Sequence, residues 1–289
     1  MTTTHDPILI IGGKGKTGRR VAERLEAQGV TTRSASRSSE PPFDWNDPAT
    51  WAPALDGVSA AYVTYYPDLA FPGAAETIGA FARQAVANGT RRLVLLSGRG
   101  EEGAEASERA LQDSGADWTI LRSTWFAQNF SEHFLLEPVL AGVIALPAGD
   151  VAEPFVDLDD LADVAVAALT EDGHSGQVYE LTGPRLLTFE DIAEELTEIT
   201  GRPIQYIPVT AEEYAAMAVE HGVPAEEVDA LSNLFAEVLD GRNAHLTDGV
   251  QRALGRPPRD FRDYATAAAA TGVWNIDTAE TTTNAGSEQ

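Results

Sequence analysis

The stretch ILIIGGKGKTGRRVAERLEAQG, residues 8–29, decides how the rest of the chain is read. Its first four residues are apolar and mostly β-branched, and a glycine ends them, which is the pattern of a short strand buried on both faces. The residues after Gly18 change period. Val21, Ala22 and Leu25 fall on one helical face, while Arg19, Arg20, Glu23, Arg24 and Glu26 fall on the other. Gly29 stands where a helix C′ residue belongs. A strand, a glycine-rich turn and a helix are therefore predicted in that order.

The turn contains Gly15-Lys16-Thr17, which raises the question of an ATP-binding P-loop. That motif needs its first glycine five positions before Gly15, and position 10 is Ile, inside the strand. The alternative is a dinucleotide turn, which needs glycine for a sharp bend, for close approach to a pyrophosphate and for close helix–strand packing. Gly12, Gly15 and Gly18 supply one such spacing, and Gly13, Gly15 and Gly18 supply the G-x-G-x-x-G spacing. Lys14 and Lys16 are the only lysines in the chain. Placed at the start of a helix, whose free N–H groups and dipole already favour anions, they point to a phosphate ligand.

Strand and helix patterns continue to alternate. Strands are read at 30–38, 58–66, 91–98, 116–123 and 178–183, with helical runs at 48–57, 74–89, 107–115 and 157–173 between most of them. This alternation predicts an α/β fold, a doubly wound Rossmann-type parallel sheet with helices on both faces. The expected layout is a dinucleotide-binding domain over 1–150, its sheet completed by 151–185, followed by a small, mostly helical substrate region over 186–275. Thr188 and Asp191 form a near capping box at one helix start. The segments 206–222 and 227–242 read as helical with linkers. The polar tail, 276–289, is expected to be disordered.

The end of the second strand selects the cofactor. NAD-binding turns place an acid there for the ribose 2′-hydroxyl. Here Ser36, Arg37 and Ser38 offer a guanidinium and two hydroxyls instead, so NADP is favoured over NAD. A solvated strand-end arginine is the plain alternative.

Composition narrows the rest. The chain has 289 residues, 43% of them hydrophobic, with 20 basic and 45 acidic side chains for a net charge of −25. Such a surface repels nucleic acid and anionic membranes. No apolar run approaches the length of about 18 that spans a bilayer. With no cysteine, thiolate chemistry and disulfides are excluded. The five histidines lack ligand spacing, so no metal is expected. The N-terminus has no basic segment leading into an apolar core, which makes the cytoplasm the expected location. The oligomeric state is open.

In the order IGGKGKTGRRVAERL, RSASRS, FDWNDPATWAPALDGVSAAYV, RRLVLLSGRG, SGADWTILRSTWFAQNF, PFVDLDDLADVAVAAL and YELTGPRLLTFEDIAEEL, the chain resembles the NmrA-like group of atypical short-chain dehydrogenases over residues 7–265. Within the group it is similar to bacterial relatives of ergot-alkaloid iminium reductases. The resemblance implies that Lys14, Lys16 and Thr17 line the pyrophosphate and that Arg37 takes the 2′-phosphate. It also implies that Asp44 and Trp45 lie near the adenine, that Thr64 and Tyr65 join the cofactor site at the end of the 58–66 strand, and that STWFAQNF borders the nicotinamide and the substrate.

One departure bears on chemistry. Ordinary short-chain dehydrogenases use a Tyr-x-x-x-Lys pair to move a proton. Between Ser97 and the SGADW segment this chain reads GRGEEGAEASERALQD, with neither residue. Two functions stay open. One is an NADPH-dependent reductase of a small organic substrate such as an iminium, enone or quinone, with Ser97, Arg99 and Tyr66 as candidate catalytic residues. Trp125, Phe126, Asn129 and Phe130 are its candidate pocket, though Phe126 and Phe130 also suit a core. The other is a non-catalytic NADP(H)-binding redox sensor.

Overall fold

The computed structural model describes residues 6–220, 222, 228, 232 and 235–276. The main sheet holds β1 (Ile8–Ile11), β2 (Thr32–Ala35), β3 (Ala60–Val63), β4 (Arg92–Gly98), β5 (Asp117–Ser123) and, after a short β6 (Val143–Leu146) outside it, β7 (Gln177–Leu181). Its order is β2-β1-β3-β4-β5-β7, and every pairing is parallel. All six were read from the sequence, the inner strands as apolar runs and β2 from its place in the alternation.

The helices in chain order are α1 (Lys16–Ala27), α2 (Trp51–Leu55), α3 (Ala74–Ala87), α4 (Glu102–Gln112), α5 (Asn129–Glu132), α6 (Leu136–Ala141), α7 (Leu158–Thr170), α8 (Phe189–Thr200), α9 (Ala211–Glu220), α10 (Gly249–Leu254) and α11 (Phe261–Ala270). A short strand, β8 (Gln205–Pro208), precedes α9.

The alternation within β1 explains why its run is continuous rather than half polar. Ile8 and Ile10 face a core built with Val21 and Leu25 of α1 and Leu161 and Val164 of α7. Leu9 and Ile11 face a second core with Leu55 of α2, Ile78 and Phe81 of α3, and Leu111 of α4. A parallel sheet covered by helices on both faces buries every residue of its inner strands.

β2 lies on one side of β1 and β3 on the other. The sheet therefore reverses its direction of growth between β1 and β3, and a crevice opens at their carboxyl ends, where ligands of such sheets bind.

A third core lies under the C-terminal part. Phe130, Phe155, Phe189 and Phe261 meet edge to face, with Trp274 in the same cluster. The Thr188–Asp191 capping box forms as expected and starts α8.

Two readings are corrected. β6 and β8 pair in parallel as a separate two-stranded sheet. One of these segments had no assignment and the other was read as part of a helical segment. Both are four residues long and carry exposed apolar side chains, Val143 and Ile207, so neither alternation nor full burial marks them. Helix α4 begins at Glu102, five residues before the expected run, because the acidic first turn hid the buried Ala104. The expected disorder over 277–289 lies outside the described residues.

Candidate functional site

The glycine turn leaves β1 at Gly12, whose φ of +71° belongs to glycine. A Cβ at Gly13 would lie 2.5 Å from Ser34 Oγ of β2, and one at Gly18 would collide with the Gly12 carbonyl. The turn is thus drawn against both β2 and α1. Gly15 is the N-cap of α1 and supplies no capping side chain, and the first turn of α1 holds no acid. By contrast, Asp157, Thr188 and Asp260 cap α7, α8 and α11. An uncapped helix start leaves N–H groups for an external anion.

Lys14 is exposed and Lys16 half-buried beside that helix start. Neither Lys14 nor Arg37 makes a hydrogen bond or ion pair with a described residue. Lys16 turns inward. Its Nζ donates to Asn129 Oδ1 at 2.8 Å and sits 5.7 Å from the centre of the Phe126 ring. Burial lowers Lys16 to about 8, against the attraction of Glu132.

At the end of β2, Arg37 and Ser38 are exposed, and the Ser36 and Ser38 hydroxyls lie 3.3 Å apart. Asp44 accepts from the Asn46 N–H, and its own carbonyl accepts from Trp51 Nε1. Trp45 donates from Nε1 to the Thr64 carbonyl at 3.1 Å and packs on Tyr65, Phe43 and Phe81. Trp45 thereby ties the loop after β2 to the loop after β3. Thr64 donates its hydroxyl to the Ile11 carbonyl at 2.9 Å, across the point where the sheet reverses.

A cavity of about 340 Å³ opens at the carboxyl ends of β3, β4 and β5. Lys16, Thr64 and Tyr65 form its side nearest the glycine turn, and Ser97, Arg99, Trp125, Phe126 and Asn129 continue it. Seven of the sequence-predicted residues outside the glycines thus line one space, together with Lys16. Ser97 is buried and donates to Glu108 Oε1 at 2.6 Å, while Glu108 is also gripped by Arg122.

Arg99 is only 4% exposed. It reaches Glu180 and the Asn243 carbonyl, yet its Nη2 has no protein partner.

Two placements are corrected. Tyr66 is 79% exposed and does not line the cavity, because successive residues of this loop point apart and Tyr65 takes the inward place. Phe130 is fully buried in the third core, where α5 turns it away from the cavity that Asn129 faces.

Several lining residues were not found from sequence. Asp68, Glu101, His133, Phe134 and Phe235 converge from four separate segments. Asp68 and Glu101 carried the one available signal: each follows a parallel strand's carboxyl end by a few residues. Thr124 leads to a buried carboxyl, donating to Glu153 Oε2 at 3.0 Å. Burial pushes Glu153 up to about 7.

A second cavity lies between α1, the start of α7 and α11. Its lining arginines are already paired, Arg20 with Glu132 and Arg259 with Asp160 and Asp163. No group of three or more His, Asp or Glu able to hold a metal occurs among the described residues. No helix among them is long and apolar enough to cross a membrane.

Comparison with known proteins agrees with this geometry. The sequence model of a family described as NAD(P)H-binding matches residues 12–172. The chain is similar to the agroclavine dehydrogenase of Claviceps fusiformis, at 34% identity over 275 residues that cover 89% of this chain and 95% of that one. It is 29% identical to the NAD(P)H azoreductase of Xenophilus azovorans, over 91% of this chain and 98% of that one. Among solved structures, the Citrobacter sp. triphenylmethane reductase complexed with NADP(H) shares the fold. It has a TM-score of 0.72 at 22% identity and covers 91% of this chain and 99% of that one.

Proposed function

The chain belongs to the NmrA-like NAD(P)H-binding family, and from that premise we propose that it is an NADPH-dependent reductase of a small organic acceptor. The observation that carries this reading is the cavity. It is continuous with the glycine turn at Lys16 and Thr64, and its far walls are Trp125, Phe126, Phe134 and Phe235. A flat, conjugated acceptor suits such aromatic walls. A sensor that only reads the cofactor's redox state needs no such space.

The residues fit an NADP(H). The uncapped start of α1 with Lys14 takes the pyrophosphate, and Arg37 with Ser36 and Ser38 takes the 2′-phosphate. Asp44 and Trp45 stand towards the adenine, with Trp45 acting mainly as the buttress between two loops. When bound, NADPH supplies a hydride equivalent at the nicotinamide. The chain's own groups orient and exclude water. Lys16 and Asn129 fix the near wall, and Trp125 and Phe126 cover the acceptor. Ser97 has committed its proton to Glu108, so it offers a lone pair rather than a donor.

Similarity to a clavine dehydrogenase, an azoreductase and a triphenylmethane reductase supports acceptors that are conjugated or cationic. Steady-state NADPH oxidation with iminium, quinone, enone and azo compounds tests the proposal. Turnover of at least one class is expected. Tight and equal binding of NADPH and NADP⁺ with no turnover across the panel would favour the sensor instead.

A further inference from the structure

Two carboxyls stand together on the cavity wall. Asp68 follows β3, Glu101 precedes α4, and both line the cavity beside Ser97 and Arg99. The two side chains act directly on each other across the gap between their loops. Two neighbouring buried carboxyls do not readily ionise together, and an ionised carboxylate can only accept a hydrogen bond, so such a pair favours keeping one proton.

The chain builds this pairing from both sides. Glu101 is the N-cap residue of α4 but accepts no capping bond there, so its carboxyl is turned off the helix end. Gly98 makes the room, because a Cβ at that position would collide with the Glu101 carboxyl. Gly103 lies so close to the Ala70 backbone that a side chain there would separate the two loops. Asp68 is fixed by the Ala70 N–H, which donates to its Oδ1 at 2.8 Å, and Ser107 ties α4 to the Leu69 carbonyl.

The other charges facing the pair are acidic. Glu237 acts on both carboxyls and Glu108 on Glu101. Glu108 is held by Arg122, and Glu237 lies 3.8 Å from Arg242. On the same wall the buried Arg99 keeps one N–H group without a partner.

We propose that Asp68 and Glu101 hold one proton between them and donate it to the bound acceptor, so that the site is built for neutral acceptors whose reduction consumes a proton. These are quinone and conjugated carbonyls and azo groups, with the spare Arg99 N–H directed at the same heteroatom. The proposal rests on the reductase reading. In the balanced step the acceptor's C=O or N=N π bond breaks and takes up a hydride from bound NADPH and a proton from the pair. A quinone becomes a hydroquinone with two new O–H bonds, a carbonyl gains one C–H and one O–H bond, an azo group gains two N–H bonds, and NADP⁺ remains. The pair is left with two negative charges and recovers its proton from water. A cationic acceptor, an iminium or a triarylmethyl cation, needs the hydride alone. Burial and the neighbouring acids push Glu101 up to about 8, which keeps the proton in place at neutral pH.

Two readouts test this. In the cofactor-free protein with ¹³C-labelled Asp and Glu carboxyls, one carboxyl should titrate near 8. The signal should vanish in Glu101→Gln, and Asp68→Asn should shift it downward. With NADPH, Glu101→Gln should reduce kcat for a quinone or azo acceptor at least ~100-fold more than for a triarylmethyl cation, the scale of general acid catalysis. Asp68→Asn should act in the same direction. Equal losses for both acceptors, or no titration near 8 that Glu101→Gln removes while wild type turns over, would overturn the proposal. Wild-type protein that binds NADPH, shows the titration near 8 and yet reduces neither acceptor would instead bring down the reductase reading, and this proposal with it.

Discussion

Arg37 is an exposed guanidinium with no acid partner among the described residues, in a chain that carries 45 acidic and 20 basic residues. Most of the other arginines are matched, as Arg24 is with Asp163 and Arg185 with Asp260. An unmatched cation beside two hydroxyls suits a phosphate dianion, because planar N–H pairs and charge act together. Arg37→Asp is therefore expected to weaken NADPH binding at least ~10-fold more than NADH binding, the effect of one charge-assisted contact. Titration calorimetry with both cofactors checks it, and an equal loss would remove Arg37 from the 2′-phosphate. Lys14 lies at the helix start, where both cofactors place a pyrophosphate. Residue by residue, sequence found what sits in a local motif. Gly12 to Gly18 and Arg37 declare themselves by spacing along the chain. Asp68 and Glu101 could not, since their meaning depends on two loops, separated by a whole helix and strand, closing on each other. Tyr65 and Tyr66 were indistinguishable by type and differ only in which way the loop points them.

At the scale of elements, legibility followed burial. The inner strands β1, β3 and β4 are sandwiched between helices and read as apolar runs. The β6–β8 pair is too short and too exposed to announce itself. Helix α5 shows the ambiguity of an aromatic in an apolar stretch. Asn129 faces the cavity, while its neighbour Phe130 fills the third core among Phe155, Phe189 and Phe261. Removing that ring leaves a void the surrounding rings cannot close. Phe130→Ala should destabilise the fold by about 3–5 kcal/mol, read by denaturant unfolding. A loss below about 1 kcal/mol, with substrate affinity collapsing instead, would return Phe130 to the pocket.

For the whole molecule, the raised carboxyls set the direction of its pH response. Glu153 is fully buried and pushed up to about 7, and Glu101 up to about 8. In the unfolded chain both lose their protons near the ordinary glutamate value. From there up to about 7–8 the folded state binds more protons, so stability falls as pH rises. Glu132, Asp163 and Asp260, each held by arginine, lie below the ordinary range. Their contribution is complete above that range and is lost as pH falls below it. The melting temperature should thus be highest near pH 5 and decline towards about pH 8.5, with Glu153→Gln flattening the decline. A melting temperature that rises over that interval would contradict these assignments.

The cavity joins these scales, because it exists only where the glycine turn, the strand ends and the C-terminal aromatics meet. The most direct test of its role is to supply NADPH deuterated at C4 and follow the label with an azo or quinone acceptor. Deuterium lost from the cofactor in step with acceptor reduction, and found on the reduced carbon when enones or iminium compounds are used to trap it, is the expected result. Label that stays on bound NADPH through a full panel of acceptors would contradict the account.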